Sequence, residues 1–297
     1  MLNRRHLLAL VAASALTTGV QAQTAPSELV FAVVPAENAA MVADRYKDFL
    51  DYLSKETGIK VTLRVASDYA AVIEGQRAGQ IHLGGYGPTS YARARMTGVN
   101  ITPFVTETAK GGVRGYYAVV YVKATSPFQK IEDLKGKNFG LVDPNSTSGN
   151  VVPRFALDKM GINPESYFGK VVYTGSHVNA VMALNQGTVD AAANWWNNED
   201  DSELMRMVTK GMVKKEDFRL IFKSDMIPAS PVAYLDSLPA DLKVKIEQAF
   251  LQAHVKNKPA FDKLSDGKND NFVRSTHSEF EPVVAMNKFV DNLRKKQ

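Results

Sequence analysis

Cysteine is absent from all 297 residues. That excludes disulfides, thiolate catalysis and cysteine-based metal sites together, and with them an N-terminal lipoprotein anchor. Histidine is scarce too. His6 lies in the leader described below, and His82, His254 and His277 show no metal-ligand spacing, so no metal is expected. There is no glycine-rich dinucleotide fingerprint, no Walker A loop and no nucleophile elbow, since Ser148 precedes Gly149 but follows Thr147. No cofactor is expected. After the leader no apolar run approaches the length of a membrane span, which argues against stable membrane insertion. The net charge of +5 falls to +3 without Arg4 and Arg5, and the densest basic run, Arg294-Lys295-Lys296, is a terminal tail. A solvated surface accounts for this pattern better than nucleic acid does, and the mild positive balance slightly favours an anionic ligand.

The first 22 residues read as a cleaved secretory signal peptide: basic Arg4-Arg5, an apolar core from Leu7 to Leu16, then Val20-Gln21-Ala22. The arginine pair leaves general secretion and twin-arginine export both open. The remaining chain of about 275 residues suffices for two modest domains.

That remainder contains an internal duplication about 105 residues apart, too long for a solenoid repeat. The first copy runs from the strand Leu29 to Val34 through a helix ending near Gly58 and a strand from Val61 to Val65. Ser67-Asp68-Tyr69 then opens a helix that stops at Gly79, with Ser67 as its cap, and the strand Gln80 to Gly85 closes the copy. The second copy repeats the order with Phe139 to Val142, a helix from about Gly149 to Met160, and Val171 to Tyr173. A helix capped by Ser176 and stopped by Gly187 follows, and Thr188 to Ala193 closes it. Alternating strands and helices predict two α/β lobes with largely parallel sheets. The expected division is signal peptide 1–22, first lobe 23–120, second lobe 121–229, and a return to the first lobe over 230–297. Two extended crossings, at Tyr116 to Val122 and Ser230 to Tyr234, predict a hinged clamshell with a ligand cleft.

Ligands of open α/β lobes meet strand carboxyl ends and helix N-termini. Asp143-Pro144-Asn145-Ser146-Thr147-Ser148-Gly149 lies at such a point. Its hydroxyls beside unpaired helix N–H groups suit a tetrahedral oxyanion, although Ser146 or Ser148 can equally serve as a plain helix cap. His177, at another helix start, can donate to an anion or sit on the surface. Tyr69, Tyr86 and Tyr116 offer hydroxyls or simple packing, and Glu199 offers either a partner for a ligand ammonium or an acidic helix start. Of Trp195 and Trp196, one is expected to wall the cleft and the other to pack in the core. A serine–histidine–acid set from Ser146, His177 and Asp143 is conceivable, but the hydroxyl cluster explains binding without catalysis, so no enzyme is expected.

These residues resemble the periplasmic phosphonate-binding proteins of ABC importers over nearly the whole mature chain. The resemblance rests on Asp143 to Gly149, Gly175-Ser176-His177 with Asn179-Ala180, Ser67 to Ile73, and Tyr86-Gly87-Pro88-Thr89-Ser90. It implies a type II periplasmic binding protein clamshell, a periplasmic location, and an inner-membrane ABC permease as partner. It also implies a small phosphonate-class oxyanion held by Ser146, Thr147, Ser148 and His177, with Tyr69 and Tyr116 completing the pocket and Glu199 near a ligand amine. One departure stands out: the aspartate the family places before the return proline is Ser230 here. Sulfonates, aliphatic amides and thiamine precursors are the alternative ligands, and a hydrolase or sensory module the alternative function.

Overall fold

Near-continuous apolar strands such as Leu29 to Val33 demand burial on both faces, which a parallel sheet covered by helices supplies. The computed structural model describes residues 24–295; the expected signal peptide lies outside them. Among the described residues, one sheet runs Asn269–Arg274, Ile101–Ala109, Pro231–Leu235, Leu83–Gly85, Glu28–Val33, Lys60–Val65. The second runs Phe218–Lys223, Gly115–Lys123, Ala191–Asn198, Asn138–Leu141, Lys170–Tyr173, with short strands Ile227–Pro228 and Asp201–Ser202 pairing beside it. In each sheet the first strand of a duplicated unit sits between two parallel partners. Glu28–Val33 lies between Lys60–Val65 and Leu83–Gly85, and Asn138–Leu141 between Lys170–Tyr173 and Ala191–Asn198.

Local chemistry sets the helix ends. Asn38 caps Ala39–Thr57 by accepting from the Met41 N–H at 3.0 Å, and Gly58 ends it at φ +73°. Ser176 caps His177–Asn185 through the Asn179 N–H at 3.1 Å. The cap of Tyr69–Arg77 is Asp68, not Ser67: its carboxylate accepts from Ala71 N–H at 2.8 Å, one residue nearer the helix. The closing strands also start later than the sequence suggests. Ile81 N–H folds back to Gly75 O at 3.0 Å, and Asp190 accepts from Asn138 N–H at 2.8 Å, so both connections are turns. The second closing strand then runs on to Asn198 and includes both tryptophans.

The boundary expected at residue 120 moves. Gly115–Lys123 pairs with Ala191–Asn198 and Phe218–Lys223, so the whole strand belongs to the second sheet and the chain crosses between Ala109 and Gly115. It returns between Pro228 and Pro231. Helices Ala240–Lys256 and Glu281–Lys295 pack on the first sheet's helices, the latter through the Arg93–Asp291 ion pair. One large core cluster, from Leu29 to Phe280, fills the first lobe; two smaller clusters flank the second sheet.

Candidate functional site

The Ser-Thr-Ser turn is shaped by two neighbours. Val142 N–H, just past its strand, donates to Gly149 O at 2.9 Å. Pro153 has no N–H to compete for that carbonyl. The chain therefore opens with a π-turn, Thr147–Val151, before the α-helix Val152–Lys159, in place of the continuous helix expected from Gly149. Ser146 caps it by accepting from Gly149 N–H at 3.1 Å. Gly149 is required by packing: a β-carbon there would lie 2.4 Å from Val142 Cβ.

This turn borders a cavity of about 250 Å³ between the two sheets, lined by Ser146, Thr147, Tyr69, Tyr116, His177 and Ser230 among others. Thr147 Oγ1 accepts from Thr89 N–H of the first lobe at 2.8 Å, so its own hydrogen remains free to be donated. The Tyr116 phenol is ringed by the hydroxyls of Thr147, Ser148 and Ser230; burial pushes its pKa up to about 12, and those hydroxyls offset part of the rise. Burial likewise raises Tyr69, which meets the Ser146 hydroxyl. Both phenols are neutral donors at any physiological pH. Ser148 is buried and meets the Tyr116 phenol, but it is not among the residues lining the cavity.

His177 behaves differently from the expected anion donor. Asn194 Oδ1 accepts from Trp195 N–H at 2.9 Å, and its Nδ2 donates to His177 O at 3.0 Å, which fixes the amide orientation. Nδ1 of His177, 3.0 Å from that oxygen, must therefore carry the hydrogen. Nε2, 3.5 Å from Ser146 Oγ, is left with a lone pair. Burial lowers the ring's pKa to about 4, so in the ligand-free protein at neutral pH this nitrogen accepts and does not donate. The unfolded chain takes up its proton near pH 6.5, and the fold resists until about pH 4. Acidification across that window favours unfolding, and below it the loss is complete. We expect stability without ligand to fall by about 3 kcal/mol from this group alone, and His177→Gln to flatten that part of a denaturant-midpoint profile against pH.

Other expected residues are placed elsewhere or turned. Tyr86 is among the residues lining the cavity, but its hydroxyl turns away and donates to Gln76 Oε1 at 2.6 Å. Glu199 falls beyond the strand end, 73% exposed and paired with Lys215 at 3.2 Å, and does not line the cavity. Strand alternation sends Trp195 and Asn197 toward the cavity instead. Trp196 faces away, edge-on to Tyr117 at 5.7 Å and under Lys223 at 4.1 Å. Trp195 Nε1 donates to the buried Glu203 at 2.9 Å, and the Arg206 guanidinium lies 4.8 Å from its ring. Burial and the nearby Glu37 raise the Glu203 pKa.

Sequence reasoning missed a second polar cluster. Arg45, Tyr46, Glu107, Arg206 and Asn269 line the same cavity. Glu37, almost fully buried, holds both arginines on one oxygen, Arg45 at 3.0 Å and Arg206 at 3.2 Å. Arg206 also meets Asp266 at 3.0 Å, so a residue of the second lobe is paired twice with the first. Nothing local distinguishes these residues among the 36 basic and 31 acidic side chains of the sequence.

A family described as "ABC transporter, phosphonate, periplasmic substrate-binding protein" matches residues 31–280. The chain belongs to that family. It is 31% identical to the Phosphate-import protein PhnD of Mycolicibacterium smegmatis over 241 residues, 78% of this chain and 74% of the relative. It is 30% identical to the Phosphonates-binding periplasmic protein of Escherichia coli over 242 residues, 80% of this chain and 70% of the relative. The crystal structure of a binding protein component of an ABC phosphonate transporter from Pseudomonas aeruginosa superposes with a TM-score of 0.80 at 25% identity, covering 90% of this chain and 87% of that one. The family is a substrate-binding component of a transporter, and the fold is that of type II periplasmic binding proteins. Among the described residues, no helix is long and apolar enough to cross a membrane.

Proposed function

We propose that this protein captures a phosphonate, or a phosphite-like tetrahedral oxyanion, in the cavity between its lobes and delivers it to an inner-membrane ABC permease. The observation that carries this reading is the set of neutral donors, Ser146, Thr147, Tyr69 and Tyr116, gathered with the lone pair of His177 Nε2 in one cavity. Donors suit the charged oxygens. The lone pair suits an oxygen that still bears hydrogen. A phosphonate monoanion has both kinds, whereas a sulfonate has no O–H to give, so His177 favours the phosphorus ligand. Membership of the phosphonate family supports the same assignment.

Closure of the lobes follows from the contacts that span them. Thr147 with Thr89, His177 N–H with Ala36 O at 3.0 Å, and Arg206 with Glu37 and Asp266 all form only when the lobes meet. A ligand bridging the cavity shifts the open–closed equilibrium by its differential affinity for the closed state. The proposed division puts residues 24–109 and 231–295 in one lobe and 115–228 in the other.

Calorimetric titration against methylphosphonate, ethylphosphonate, phosphite, phosphate and sulfate tests the reading. A phosphorus oxyanion should bind in preference to sulfate, with proton uptake above the ligand's second ionisation. Failure of every phosphorus oxyanion to bind, or stronger binding of sulfate, would overturn it.

A further inference from the structure

The cavity of about 250 Å³ exceeds what an oxyanion head alone fills, since a water occupies about 30 Å³ of liquid. What lies beyond the head is set by the second polar cluster. Arg45 and Arg206 are permanent cations rich in N–H donors. Both are drawn to the same Glu37 oxygen, and Arg45 Nε is buried with no acceptor. Acceptors are few by comparison. Among the described residues lining the cavity, Glu107 is the single carboxylate, and it is already engaged by the Asn269 amide. Burial raises its pKa even though Arg45 and Arg206 oppose the rise. Asn197 Nδ2 donates to Asp201 at 2.7 Å, and neither Asn197 nor Ser230 carries a charge to hold an ammonium.

Glu37 and Asp266 offset the two guanidinium charges from outside the cavity lining, so an ammonium would approach the guanidiniums directly and find only the engaged Glu107 carboxyl on the wall. A carboxylate would meet two guanidiniums and the Tyr46 phenol lining the same cavity. Arg is the side chain whose planar fork matches a carboxylate. Building on the phosphonate reading above, we infer that the ligand's substituent ends in an anionic acceptor, a carboxylate, received by Arg45 and Arg206, so that the preferred substrates are carboxyalkyl phosphonates.

Titration of the full mature chain with ethylphosphonate, aminoethylphosphonate, phosphonoacetate and 3-phosphonopropionate tests this. At least one carboxylated compound should bind tenfold or more tightly than ethylphosphonate, and aminoethylphosphonate should bind more weakly than that compound. In Arg45→Met the ratio of carboxylated to ethyl affinity should fall about tenfold; because the readout is a ratio, general weakening does not imitate it. If ethylphosphonate binds but the carboxylated compounds bind no better, or if aminoethylphosphonate binds tightest, this inference fails and the phosphonate reading stands. If no phosphonate binds at all, both fail together. The wild-type series decides the matter even if Arg45→Met does not fold.

Discussion

Thr147→Val is expected to weaken phosphonate binding by about 2–4 kcal/mol, because it removes two hydrogen bonds that act on the same closed state. The first is the O–H aimed toward the cavity and Tyr116, whose loss leaves an anion oxygen or the phenol short of a donor. The second is the acceptor for Thr89 N–H, now 2.8 Å away across the lobes. Valine has nearly the same shape, so the buried amide of Thr89 would face a methyl group when the lobes close. Each loss is worth about 1–3 kcal/mol when it strands a buried group, and the two do not add in full because both depend on closure. Thr147→Ser retains both bonds and should bind nearly as well as wild type. Calorimetric dissociation constants decide it: a value for Thr147→Val within threefold of wild type would remove Thr147 from the site.

Removal of Glu37 should act on the fold as well as the ligand. Its carboxylate is 1% exposed and is the common partner of Arg45 and Arg206, which are 15% and 18% exposed. Taking one member from a buried ion pair costs about 3–5 kcal/mol. Here the stranded arginines keep some solvent, and Arg206 keeps Asp266, so Glu37→Ala should lose about 3 kcal/mol, the lower end of that range. The two guanidiniums would then repel across the lobe boundary, favouring the open form. Chemical denaturation should report the stability loss, and small-angle scattering without ligand should report a larger radius of gyration. An unchanged unfolding midpoint would mean that the pair is open in solution. A carboxylated phosphonate should recover more stability in Glu37→Ala than ethylphosphonate does, since it returns a negative charge to the same arginines.

How far the sequence carries depends on the range of the interaction. The α/β duplication was legible because it is written in local periods: apolar strands, helices opened by Ser, Asn or Asp, and glycines at Gly58, Gly79 and Gly187 with positive φ. The Asp143 to Gly149 turn was legible for the same reason, since its hydroxyls and its proline and glycine neighbours are contiguous. Errors of one or a few residues, such as Ser67 for Asp68, arose where two neighbouring side chains could cap one helix. The boundary at residue 120 was misplaced because strand composition does not reveal which sheet a strand joins.

The sequence by itself determined the α/β clamshell pattern and the oxyanion-suited turn, because capping, periodicity and turn chemistry act over a few residues. Tertiary structure alone decided the tautomer of His177, which depends on Asn194 and Trp195 meeting it from the next strand. It alone turned the Tyr86 hydroxyl to Gln76, left Glu199 in solvent and brought Trp195 to the cavity. It alone assembled Glu37, Arg45, Glu107 and Arg206, residues drawn from two lobes and up to 169 positions apart. Charges so distant in sequence reveal their partners only once folding has removed the water between them.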